Sequence, residues 1–244
     1  MSLFGLEVWG DYACFTRPES KVERLSYPVI TPSAARAIFD AIYIQFSKSE
    51  PPQSTYYWQI RRVEILNPIV FISLSRNEVK GRVNTRKVVQ SISQPDALQP
   101  LMADATDEDS RENGRTQRQS MILRNVRYRI FAEPIMFQPD VMAQKQIAHE
   151  FTRRAKKGKC FHQPYFGCRE FVAYFEPIPP DFSVGALINQ DLGWMIYDTF
   201  DLSRANSISS TASISIFKAS IQNGVLEIPP YQSDEVRKLG LGVI

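Results

Sequence analysis

The sequence predicts an α+β fold: an antiparallel sheet carrying two helices, followed by a small β-rich segment. Two observations carry this expectation. Over the first 175 residues, strand-like and helix-like stretches follow the order β, α, β, β with a loop, β, α, β. After the proline-rich EPIPPDF, only short strand signals remain. A chain of 244 residues, 43% apolar and 23% charged, is enough for a packed core, so a wholly disordered or fibrous chain is excluded.

Residues 3–15 alternate loosely and are rich in Val, Trp, Tyr and Phe, which predicts a strand. Thr31-Pro32-Ser33 then opens a helix, since a threonine hydroxyl accepts from first-turn N–H groups and proline suits the first helical position. Ala35, Ile38, Phe39, Ile42 and Phe46 recur at helical spacing and mark its buried stripe, and SKSEPPQST breaks it. Residues 57–66 predict a strand ended by Asn67-Pro68, with a further apolar stretch at 69–74. Residues 77–116 are polar, with acids clustered from Asp104 to Glu112, and are expected to form a long mobile loop. Residues 121–137 alternate again as a long strand. Pro139-Asp140 starts a second helix that runs to about Lys157, with Gly158 as its stop. A short strand follows at 171–175. This is the ferredoxin-like order, an antiparallel sheet with two helices on one face, and it assigns residues 1–175 to one domain. Strand signals at 185–202, 213–221 and 224–228, with Asn223-Gly224 as a hairpin turn, assign residues 176–244 to a small β-rich C-terminal domain.

The net charge is only 29 − 26 = +3, but the cations are bunched. Lys145, Arg153, Arg154, Lys156, Lys157, Lys159 and Arg169 share their stretch with a single acid, Glu150. Arg111, Arg115, Arg118, Arg124, Arg127 and Arg129 share theirs with Glu112 alone. Such blocks are the electrostatic footprint of a nucleic-acid binder, because lysine and arginine neutralise phosphates and release counterions. Two solvated, charged faces are the alternative reading.

Other functions lose their usual motifs. There is no G-x-S-x-G elbow, Walker loop or G-x-G-x-x-G. No apolar run approaches the ~18 residues of a membrane span, so no membrane partner is expected. MSLFGLEVWGDY has no basic start and is expected not to be a signal peptide. Three cysteines make no disulfide framework, which points to a reducing cytoplasm. Cys160, His162 and Cys168 lack a fourth zinc ligand, so free thiols are expected and neither metal nor cofactor is called for.

The second helix carries the candidate chemistry. Gln144, Ile147, Ala148, Phe151 and Ala155 share one face, and Lys145, His149, Arg153 and Lys156 share the opposite one. Cations beside an imidazole favour its neutral, proton-accepting form. A base that takes a 2′-hydroxyl proton and cations that steady the phosphorane suffice to cut RNA without metal. A solvent-exposed histidine on a charged helix is the alternative. Tyr43 lies beside the stripe of the first helix, as a second candidate or as a core-edge tyrosine. The stretch FHQPYFG, positions 161–167, follows the basic helix, and its rings suit stacking on single-stranded RNA unless Phe161 and Phe166 belong to the core.

Long runs then carry a resemblance. VWGDYACFTRPESKVERLSYPVITPSAARAIFDAIY, QIRRVEILNPI, AHEFTRRAKKGKCFHQPYFGCREF and LGWMIYD closely resemble the CRISPR-associated RAMP proteins of the Cas-five family, type I-C (Dvulg) subtype. The similarity weakens only from about Val79 to Thr116. It implies a ferredoxin-like, RNA-recognition-motif-like (RRM-like) domain with a small C-terminal β domain. It implies a metal-independent endoribonuclease that cuts precursor CRISPR RNA in the repeat. That protein then stays on the crRNA 5′ handle as a subunit of the type I-C interference complex. The family's catalytic tyrosine matches Tyr43 in DAIY, and its histidine matches His149 in AHEFTRR. Ala148 stands where the family has lysine, and Lys145, one turn away, is the candidate substitute. The two basic blocks supply the expected RNA-binding set, Arg153, Arg154, Lys156, Lys157, Lys159, Arg118 and Arg124. A handle-binding subunit without cleavage is the second expectation, and nonspecific double-stranded DNA binding is compatible with either.

Overall fold

Strand β1 (Phe4–Ala13) sends Leu6 and Val8 into the core on one face and Glu7 toward the other, as period-two alternation requires. Helix α1 (Pro32–Ile42) begins as its residues dictate: the Thr31 hydroxyl accepts from the Ala34 N–H at 3.3 Å, and Pro32 follows. Its stripe of Ala35, Ile38, Phe39 and Ile42 is buried. The helix stops there, so Phe46 falls outside it, 46% exposed and bridged to Ser54. The cause is local. Tyr43 takes extended backbone, and its carbonyl accepts from the Tyr56 hydroxyl at 2.8 Å and the Trp58 indole at 3.2 Å.

The computed structural model describes residues 3–20, 22–79, 84–94, 114–179, 185–205 and 212–239. After α1 come β2 (Tyr56–Ile65), β3 (Phe71–Val79), α2 (Thr85–Ser93), β4 (Arg115–Met136) and α3 (Val141–Lys156). Then follow β5 (Tyr174–Pro177), β6 (Gln190–Asp198), β7 (Ser215–Gln222), β8 (Val225–Glu227) and β9 (Val236–Lys238). The fold mixes few helices with one large antiparallel sheet, ordered β5-β1-β4-β2-β8-β7-β6, with β9 against β7 and β3 against β4. Strands β6 to β9 therefore continue the sheet, joined through Arg62↔Glu227, Val63↔Leu226 and Glu64↔Val225. The Asn223-Gly224 turn has φ of 51° and 77°, as the β7–β8 hairpin needs.

Packing separates two compact units, one of Met1–Ile72 with Met121–Ile244 and one of Ser73–Ser120. The second unit corrects the expected loop at 77–116. Asn77 to Val79 belong to β3, Thr85–Ser93 is helix α2, and Arg115 and Thr116 already belong to β4. Asn84 explains the helix, because its side chain accepts from the Arg86 N–H at 3.0 Å. Positions 80–83 and 95–113 of that stretch lie outside the described residues.

The core of the first unit is aromatic. Phe39 of α1 and Phe151 of α3 stack at 5.1 Å and 3°. Trp58 of β2 lies 4.6 Å from Phe151, and Phe4 of β1 lies 5.6 Å from each of Trp58 and Phe151. Both helices thus pack through one cluster, each ring contributing roughly 1.5–3 kcal/mol of burial. Arg36 ties α1 to β6, donating to Asp198 at 2.8 and 3.1 Å and to Asp40 at 2.5 Å. On the other face, Glu7 accepts from Arg127 at 2.7 Å and Arg129 at 3.0 Å, so this buried carboxylate is paired. Among the described residues, no helix is long and apolar enough to cross a membrane.

Candidate active site

Asp140 starts α3, its carboxylate accepting from the Met142 and Ala143 N–H groups at 3.0 and 2.9 Å. Ile147, Phe151 and Ala155 are its buried residues and fix its rotation. That rotation leaves Lys145, His149 and Lys156 exposed, as the spacing predicts, and leaves Ala148 half-buried beside the stripe. At the other end the Gly158 N–H donates to Ala155, and the Lys159 N–H to the Arg154 carbonyl at 2.9 Å, with Gly158 at φ +61°. Lys156, Lys157 and Lys159 stand exposed around this turn, where cations also complement the helix dipole.

The two arginines of the helix are engaged. Arg153 grips Glu150 with two N–H groups, at 2.7 and 3.2 Å, and this fork holds the Glu150 carboxyl below its usual range. Arg154 turns inward. Its guanidinium carbon lies 4.1 Å from the centre of the Phe161 ring and 5.5 Å from that of Tyr43, and Nη1 donates to the Ile42 carbonyl at 3.4 Å.

Tyr43 is only 8% exposed. Its ring stacks on Phe161 at 6.3 Å and 19°, and the Phe161 N–H donates to the Ala41 carbonyl at 2.7 Å. The chain after α3 is thereby fastened to the end of α1. Burial pushes the Tyr43 phenol above its usual range, Glu150 pushes the same way, and Arg154 opposes both. The phenol is therefore protonated near neutral pH, so it can donate a hydrogen bond but cannot act as a base.

The structure thus gathers Tyr43, Glu150, Arg154 and Phe161 at the junction of α1 and α3. Burial apart, Glu150 and Arg154 act on the Tyr43 phenol. His149 lies beside Glu150 on the exposed side of the helix, with Lys145 one turn earlier. Glu150 and Phe161 are not among the catalytic candidates that the sequence offers. Along the chain Glu150 reads only as an isolated acid in a basic block, and Phe161 reads as stacking ring or core. Of the FHQPYFG rings, Phe166 is fully buried while Phe161 is 55% exposed.

The remaining candidates lie elsewhere. Arg118 belongs to the second unit and pairs with Glu78 at 3.4 Å. Arg124 is exposed on β4, opposite Tyr12 of β1. Cys168 is buried, with the Arg24 guanidinium at 3.0 Å from its sulfur. Its hydrogen bond to Cys14 and its burial push the thiol up, so it stays protonated.

Comparison with known proteins gives this geometry its context. The profile of the Cas5d family, described as CRISPR-associated protein (Cas_Cas5), matches residues 5–229. The chain is 37% identical over 241 residues to the CRISPR pre-crRNA endoribonuclease Cas5d of Mannheimia succiniciproducens, covering 96% of this chain and 97% of that protein. It is 34% identical over 254 residues to the CRISPR pre-crRNA endoribonuclease Cas5d of Thermus thermophilus, covering 99% and 98%. Two crystal structures share the fold at 19% identity. One is a CRISPR-associated protein, with a TM-score of 0.58 over 97% of this chain and 96% of that one. The other is the functionally uncharacterized protein SMU1763c from Streptococcus mutans, with a TM-score of 0.56 over 97% of both.

Proposed function

The chain belongs to the Cas5d family of CRISPR-associated proteins, and from that premise we propose that it is the metal-independent endoribonuclease that cuts precursor CRISPR RNA within the repeat. It then stays on the 5′ handle as a subunit of a type I-C interference complex in the cytoplasm. One observation carries this reading: both relatives named pre-crRNA endoribonuclease align with nearly the whole chain. The ferredoxin-like reading of residues 1–175, with 176–244 as a β-rich C-terminal domain, is part of the proposal. The order β5-β1-β4-β2 with α1 and α3 supports it.

The chemistry follows from the side chains. His149 takes the proton of the 2′-hydroxyl, and the 2′-oxygen bonds to phosphorus. The bond to the 5′-oxygen breaks, and that oxygen takes a proton from the Tyr43 phenol. Lys145 steadies the charge of the phosphorane. The products are a 2′,3′-cyclic phosphate and a 5′-hydroxyl. Exposed Lys156, Lys157 and Lys159 hold phosphates, and the same lysines suit a DNA duplex backbone.

Ala148 favours a second reading, a handle-binding subunit without cleavage, because it removes the family's cation from the helix. The protein incubated with its own repeat RNA in excess chelator separates the two. Discrete cleavage with a cyclic phosphate end supports the enzyme, and intact RNA that stays bound supports the binding subunit.

A further inference from the structure

Trp194 stands on β6, 39% exposed, in the LGWMIYD run that the proposed chemistry leaves unused. The strand is shaped to present it. Pairing with β7 shifts between Asp191 and Gly193, Gly193 takes φ +67°, and the Asp191 carboxylate accepts from the Gly193 N–H at 2.9 Å. A bulge of this kind re-aims the next side chain. Two cations meet the ring. Lys218 is directly opposite on β7 with Nζ 5.8 Å from the ring centre, and the Arg237 guanidinium of β9 lies at 4.4 Å.

Beyond Lys218, the exposed side chains of β7 alternate as Ser220 and Gln222, and all three line one cleft of about 540 Å³. Glu227 of β8, its cross-strand partner Arg62 of β2, and Glu235 just before β9 line it too. Two cations therefore stand at the ring, neutral hydrogen-bonding groups follow along β7, and the remaining lining mixes Arg62 with the two carboxylates.

We propose that this face of β6, β7 and β9 is a second binding surface for single-stranded RNA. A base stacks on the open part of the Trp194 indole, Arg237 and Lys218 hold the flanking phosphates, and the next nucleotide meets Ser220 and Gln222. Lys218 and Arg237 both stand at the ring, so the phosphates lie at the Trp194 end. The surface deepens the RNA-binding reading above and rests on it. A protein partner would also value Trp and Arg, but the paired cations and the polar row favour a polyanion with hydrogen-bonding edges.

The test uses the full-length protein and a fluorescein-labelled single-stranded RNA of its own repeat. Trp194→Ala should weaken binding roughly 5- to 150-fold, the usual worth of one stacked base, and Trp194→Phe should restore most of it. The double variant Lys218→Ala, Arg237→Ala should flatten the salt dependence by a log–log slope of about 1.4, two contacts at ~0.7 each. These last two variants leave the bulge intact, so they decide the matter should Trp194→Ala fail to fold. Parental affinity and slope in all of them would overturn the proposal. Loss of a protein subunit from the complex with RNA binding unmoved would overturn it too and assign the face to protein. A parental protein that neither binds nor cuts the repeat fails both readings. One that does both while the variants match it fails this one alone.

Discussion

The Arg154 guanidinium caps the Phe161 ring at 4.1 Å, and this pairing fixes the last turn of α3 to the loop that follows it. The same cation reaches the Ile42 carbonyl at the negative end of the α1 dipole and lies 5.5 Å from the Tyr43 ring. An arginine that the basic block assigns to phosphates therefore packs against the Tyr43 ring instead.

Arg154 and the exposed lysines should consequently behave differently. Arg154→Ala should slow cleavage by up to about 10²-fold through misplacement of Tyr43, with the salt slope of RNA binding unchanged. Lys156→Ala, Lys157→Ala and Lys159→Ala together should flatten that slope by about 2, three contacts at ~0.7 each. Binding titrations across a salt series, paired with single-turnover cleavage, read both effects. A slope loss in Arg154→Ala equal to that of one lysine would return this residue to the phosphate-binding set.

The aromatic cluster sets stability. Phe151 is 2% exposed and touches Phe4, Phe39 and Trp58. Phe151→Ala should cost about 3–5 kcal/mol, since the cavity left between two helices and the sheet cannot collapse. Val141→Ala, at a position 67% exposed, should stay within about 0.5 kcal/mol. Urea unfolding of both variants checks the contrast, and a Phe151→Ala loss under about 1 kcal/mol would mean that the cluster repacks.

Stability should also fall as pH rises through 6. Burial pushes the Asp40 carboxyl up to about 6, with Arg36 opposing and Asp198 adding to the rise. Above its unfolded value the folded protein holds this proton more tightly than the unfolded chain does. The contribution is therefore complete below about pH 4 and lost by about pH 6. Asp40→Asn keeps the neutral form at every pH, so its unfolding free energy should be flatter than the parent's between pH 4 and 6. Parallel curves for parent and variant over that window would show that Arg36 keeps Asp40 ionised throughout.

What the sequence disclosed depended on how local the cause was. Thr31-Pro32, Asp140, Gly158 and Asn223-Gly224 act on neighbouring backbone, and each sits where its chemistry predicts. The rotation of α3 was legible because Ile147, Phe151 and Ala155 keep one period. Helix α2 was hidden because its polar composition masks a cap at Asn84 that depends on one side chain. The early end of α1 was hidden too, since Tyr56 and Trp58 claim the Tyr43 carbonyl from another strand. Likewise Glu150 and Phe161 join Tyr43 only through packing of α3 against α1, which spacing along one element does not express.

The chemistry turns on Ala148. His149 is exposed on α3, with Lys145 one turn before it and Ala148 half-buried beside it. His149→Ala should lower the cleavage rate by ~10²–10⁴-fold, the usual worth of general acid–base catalysis, while repeat RNA still binds. Tyr43→Phe should also slow cleavage, because it removes the phenolic proton yet keeps the ring on Phe161. Ala148→Lys should accelerate cleavage, because a cation beside the phosphate stabilises charge that grows in the transition state. Lys145→Ala should then harm the natural protein more than the Ala148→Lys variant, where the second cation takes over. All of these are read in excess chelator with a cyclic phosphate assay. Parental rates in His149→Ala, or cleavage that disappears with divalent metal, would end the mechanism. A natural protein that binds but does not cut, beside an Ala148→Lys variant that cuts, would make this chain the handle-binding subunit and Ala148 the reason.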